Sequence, residues 1–169
     1  IGAVQSCGAI YSSSRFPSAP YFAAKWAAML KGTLTGHRSA SIVGEIRAPF
    51  TSRRPYRHAN GLLELPMSVI GPLRLPAIGT FFTLYGAGGM RRLLPSLARE
   101  PWLNIELHGI DLVDPLDEGV PRELRARQPD LRTTLDRKRE IFRGWLSALS
   151  EGRPNRTLEE EALRSGQER

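Results

Sequence analysis

The chain has 169 residues, enough to bury one core, and 41% of them are hydrophobic, as in an ordinary globular domain. No apolar run approaches the roughly 20 residues of a membrane-spanning helix; the best candidates, 21–30 and 62–69, are broken by Lys25 and Glu64. The net charge is +7, and the single cysteine, Cys7, excludes an intramolecular disulfide and a cysteine-built zinc site.

Residues 2–11 mix small and apolar side chains and read as a helix end running into a short strand, with Cys7 as a packing residue. Residues 16–20 are a rigid entry in which Ser18 is an N-cap and Pro20 falls in the first turn. An alanine-rich helix follows over 21–30, stopped by Gly32. Residues 41–46 are a short strand, and 48–60, rich in proline and arginine, a loop. A buried strand is expected over 62–69, interrupted by Pro66. A second apolar piece, 73–78, is broken by Pro76, and 80–84 reads as a strand.

Gly86, Gly88 and Gly89 form a flexible joint into a helix over 90–99 that Pro95 should kink. Residues 102–107 are a buried strand, 108–119 an aspartate-rich loop and 121–127 a helical turn or two. The clearest helix is capped by Thr133 or Thr134. It carries Leu135, Lys138, Phe142, Trp145, Leu146 and Leu149 at helical spacing and ends at Gly152. Thr157 and Glu160 form a capping box that opens a last short helix. Apolar strands alternating with helices predict an α/β fold with a parallel sheet or barrel.

Lysine supplies three of the 24 basic residues, Lys25, Lys31 and Lys138. The densest basic cluster, Arg53, Arg54, Arg57 and His58, holds one aromatic, Tyr56. A nucleic-acid surface calls for a basic stripe with interleaved aromatics. This cluster reads instead as a solvated charged loop, and nucleic acid is not the expected partner.

The run 80–84 followed by Gly86, Gly88 and Gly89, with Asp111 about 20 residues on, is the setting of a dinucleotide fingerprint. Arg91 holds the place of the third glycine, which would block close packing of helix on strand, so the glycines read as a joint. His37 and His58 lie in polar stretches and read as solvated loop histidines without metal-ligand spacing.

His108 differs, because it ends the LNIELHG segment. Carboxyl ends of strands are where α/β domains build their sites, and an imidazole there can move a proton near neutrality. Alternation puts Leu103, Ile105 and Leu107 on one face and Asn104, Glu106 and His108 on the other. Glu106 then sits beneath the histidine, and Asp111 follows in the adjoining loop. Glu64 repeats the pattern of one carboxylate inside an apolar strand and needs a partner, for which arginine is the abundant candidate.

Four segments in this order resemble the polysaccharide deacetylase, or NodB-homology, superfamily: GAIYSSSRFP at 8–17, LELP at 63–66, 103–108 ending in His108, and Gly152-Arg153 followed by Thr157, Leu158 and Glu159. The resemblance implies a partial distorted (β/α) barrel that lacks its N-terminal strands, the later part of one domain over 1–169. It implies removal of N-acetyl or similar acyl groups from a polysaccharide or glycoconjugate. A divalent metal, zinc in this reading, would be held by residues preceding this region, so the segment alone is expected to be inactive. His108 resembles the histidine that protonates the departing amine. Glu106, Glu64 and Asp111 are then substrate-facing or supporting groups. Ser12 and Glu106 depart from the pattern, standing where the family often has an aspartate and an apolar residue. Those departures motivate the alternative of a non-catalytic, sugar-binding or scaffold relative.

Overall fold

A computed structural model describes residues 6–34 and 48–167. The expected strand at 41–46 and His37 lie outside the described residues. The helices are α1 (Ala19–Leu34), α2 (Gly79–Ala98), α3 (Arg122–Arg127), α4 (Leu135–Ser150) and α5 (Leu158–Gln167). The strands are β1 (Tyr11–Ser12), β2 (Tyr56–Arg57), β3 (Leu63–Glu64), β4 (Val69–Ile70) and β5 (Leu75–Pro76). Among the described residues no sheet closes into a barrel, and no helix is long and apolar enough to cross a membrane.

Two compact units emerge. The first comprises the chain up to Pro76 together with Trp102–Asn104 and Arg156–Arg169; the second comprises Ala77–Pro101 and Ile105–Asn155. In the first, β3 is the central strand, parallel to β1 and antiparallel to β2. A central strand buries both faces, and residues 62–66 are all buried as the apolar run predicts. Leu63, Leu65 and Ala162 form a core against which Tyr11, Trp102 and Leu158 pack. β4 and β5 make an antiparallel hairpin, where Pro76 is tolerated because each strand of a two-stranded sheet is an edge. Helix α1 starts as expected: the Tyr21 amide donates to Ser18 Oγ at 3.4 Å. It passes the expected stop at Gly32 and reaches Leu34. Cys7 is exposed rather than packed. The capping box of α5 forms in both directions: the Thr157 amide donates to Glu160 Oε2 at 2.7 Å and the Glu160 amide to Thr157 Oγ1 at 3.2 Å.

The second unit is built on α2 against α4. Residues 80–84 are helical, not the expected strand. Thr80, Phe81, Phe82 and Thr83 are strand formers by composition, but Gly79, Phe82 and Thr83 are the positions that bury, at helical spacing. Phe82 stacks on Trp145 with ring centroids 4.5 Å apart, and both are fully buried. Tertiary packing therefore overrides local preference, and the strand that a dinucleotide fingerprint requires is absent. The break in α2 lies at Gly86, with φ 55° and ψ −163°, a conformation open to glycine alone. Pro95 lies inside the helix. Helix α4 begins after Thr134 as expected, but the threonine hydroxyl does not cap it. Asp114 Oδ2 accepts from the Leu135 amide at 2.8 Å instead.

Candidate functional site

The segment around His108 is extended but is neither a regular strand nor buried. A single parallel bridge joins Ile78 to Glu106, through the Gly79 amide donating to Glu106 O at 3.0 Å. In the first unit, Asn104 meets Ser68 partly through a side chain: the Asn104 amide donates to Ser68 Oγ at 2.8 Å, and the Ser68 amide to Asn104 O at 2.9 Å. A hydroxyl thus replaces a main-chain partner, and a ladder does not propagate. Leu103 and Ile105 are half-buried and Leu107 is exposed.

The expected polar row of Asn104, Glu106 and His108 divides. The Asn104 side-chain amide donates to Ser13 Oγ at 2.9 Å and to Leu65 O at 3.0 Å, so it ties together the first unit. Glu106 and His108 belong to the second. His108 Nε2 stands 3.6 Å from Glu106 Oε1, and Nδ1 stands 3.9 Å from Asp111 Oδ2. These are ion-pair rather than hydrogen-bond separations. The imidazole is 54% exposed and Glu106 37%, whereas Asp111 is fully buried.

Asp111 is the anchor. Its Oδ2 accepts from the His108 amide at 2.7 Å and its Oδ1 from Thr80 Oγ1 at 3.0 Å, while its own amide donates to His108 O at 3.0 Å. Two donors satisfy a carboxylate that burial would otherwise penalise. They also fix the short 3-10 turn Gly109–Leu112 directly after the histidine. Space for Asp111 comes from Gly79, where a Cβ would overlap the Asp111 carboxylate and crowd Leu107. Gly79→Ala is expected to destabilise the chain by about 1–3 kcal/mol. An unchanged urea midpoint would contradict this packing. Thr80 carries no sequence signal of this role, because it falls in the run 80–84 that reads as a strand, and Gly79 stands unmarked just before that run.

Glu64 lies in the first unit and is fully buried. Its partner is not the expected arginine side chain. Oε2 faces His58 Nε2 at 3.1 Å, and Oε1 accepts from the Ser14 and Arg15 amides, each at 2.9 Å. Burial pushes the carboxyl up. The hydrogen bonds from His58, the Arg15 and Ser14 amides and the Ser12 hydroxyl outweigh it and hold the group below the ordinary 4.5. His58 is therefore not a solvated loop histidine: its side chain is 14% exposed and edge-on to Tyr56 at 5.1 Å. The register that sets Tyr56 opposite Glu64 brings it there.

Among the described residues, no three His, Cys, Asp or Glu side chains converge as a metal site. No family model, curated protein or solved structure matches the chain.

Proposed function

We propose that the chain is part of a carbohydrate deacetylase of the NodB-homology kind, in which His108 hands a proton to the departing amine. The observation that carries the reading is the setting of His108: an imidazole open to solvent, between the Glu106 and Asp111 carboxylates, on a turn that a buried aspartate holds. Amide hydrolysis expels an amine nitrogen, which leaves readily once protonated, and a positioned histidine supplies that proton. Asp111 acts by placement, fixing the backbone on both sides of the histidine. Supporting the reading, three of the segments that carry the resemblance contribute to one cluster of the first unit, through Tyr11, through Leu63 and Leu65, and through Leu158.

The test is amine release from an N-acetylated oligosaccharide by the full-length protein. His108→Ala is expected to lower the rate by about 10²-fold or more, with the melting temperature retained. The half-exposed Glu106, standing where the resemblance expects an apolar residue, favours a second reading as a sugar-binding relative. Saturable binding of the oligosaccharide, with no turnover or with turnover indifferent to His108→Ala, would replace the first reading by this one.

A further inference from the structure

The net charge of the chain lies entirely in its first 76 residues. They hold nine Lys or Arg and two acids, Glu45 and Glu64, a net of +7; residues 77–169 hold fifteen of each sign. Glu64 is occupied by His58 and two amides and neutralises no guanidinium there through a described bond. Arg57 donates to carbonyls only, Gly61 O at 3.0 Å and Ser165 O at 3.4 Å. Arg54 is exposed on a turn that Ser52 closes, its amide donating to Ser52 Oγ at 3.1 Å and its carbonyl accepting from that hydroxyl at 2.9 Å.

Arg74 is the most unusual of the set. It ends the Gly71–Arg74 turn with φ 54°, a left-handed backbone that a residue with a Cβ adopts under strain. The surroundings hold it there. Its carbonyl accepts from Ser18 Oγ at 2.7 Å, and Nη1 donates to Pro49 O and Thr51 O, each at 2.9 Å, with Pro17 O at 3.5 Å. Nη1 alone carries this anchoring. Nε and Nη2, the edge that receives a carboxylate at two points, donate to no described residue. The pinned guanidinium also fixes residues 49–51, immediately before Arg53 and Arg54.

We infer that the Arg74 fork and the arginine turn beside it bind an acidic glycan, a sugar chain bearing carboxylates of the uronate type. The choice of a glycan rests on the carbohydrate reading above and narrows its substrate class. A strand of nucleic acid would need a row of open aromatic faces for its bases. Here Tyr56 is the aromatic of the turn, and His58 stands edge-on against it.

The experiment is a titration of the full chain with polygalacturonate, its fully methyl-esterified form and single-stranded DNA, at low and high salt. Polygalacturonate is expected to bind, several-fold more weakly at high salt, and the neutral ester not to bind. Arg74→Lys keeps a cation for the carbonyls but removes the fork, and is expected to weaken binding by about tenfold. Arg54→Gln alters an exposed side chain without described partners and is expected to weaken binding about threefold without changing the melting temperature. Equal binding of the ester, tighter binding of DNA, or unchanged affinity in the Arg54→Gln chain would each overturn the inference, whether or not Arg74→Lys folds. None of these measurements requires turnover, so their failure is separable from failure of the His108 test.

Discussion

Glu64→Ala is expected to remove about 3–5 kcal/mol of stability, measured as unfolding free energy in urea. The carboxylate is fully buried on the central strand of its sheet. Its loss strands the Ser14 and Arg15 amides and His58 Nε2 together. Each buried donor left without an acceptor costs about 1–3 kcal/mol, and a cavity adds to that. Glu64→Gln keeps one oxygen for the two amides but turns an NH2 group toward His58, so a smaller loss of about 1–3 kcal/mol is expected. The same carboxyl gives a pH dependence. Burial raises its pKa, but the His58 and main-chain hydrogen bonds prevail and hold it below 4.5 in the folded state. Its stabilisation is therefore complete above the ordinary value and is lost as pH falls through the depressed one. Urea midpoints taken from about pH 6 down to about pH 3 should fall less steeply in Glu64→Gln than in the parent chain. Parallel acid limbs would show that Glu64 does not carry this linkage.

The second large effect is expected at Lys138. The sequence places this lysine on the apolar face of its helix, and in the structure it is fully buried there. Nζ lies 3.7 Å from Asp130 Oδ2 and donates to Val113 O at 3.0 Å and to Ile110 O at 3.4 Å. Neither oxygen of the buried Asp130 has a hydrogen-bond partner, so the lysine charge is what offsets the carboxylate. Lys138→Met leaves that carboxylate alone in an apolar setting, and a loss of about 3–5 kcal/mol is expected. Adding Asp130→Leu removes the stranded charge, and most of the loss should return, because a buried ion pair exchanged for apolar groups is often neutral or stabilising. A single variant as destabilised as the double one would show that the cost lies in the Ile110 and Val113 carbonyls rather than in the pair.

Patterns confined to a few neighbouring residues were legible in the sequence. Ser18 as a cap, the Thr157–Glu160 box and the stripe of α4 each depend on spacing within one or two turns, and each is present, although in the stripe Leu146 is exposed and Ile141 is buried. The burial of 62–66 was likewise legible, because Leu62, Leu63 and Leu65 lie so close together that burying them takes the intervening Glu64 with them. The run at 80–84 reads as a strand because its side chains state a local preference, whereas the Phe82–Trp145 stack between distant segments sets the conformation as helix. Glu64 could be recognised as a buried carboxylate in need of a partner. That the partner is His58, and not one of the many arginines, follows from the register of β2 on β3.

His108 shows the same division. The sequence by itself determined that a histidine stands at the end of an extended polar-apolar segment with Glu106 and Asp111 close in the chain, and that most of the basic charge is arginine. Tertiary structure decided the rest. It sends Asn104 into the packing of one unit and leaves Glu106 with His108 in the other, it buries Asp111 under Gly79 and Thr80, and it keeps the imidazole open. The physical reason is that alternation fixes only which way a side chain leaves its own strand. Which donors satisfy a buried carboxylate, and which guanidinium edge stays open, depend on segments tens of residues away.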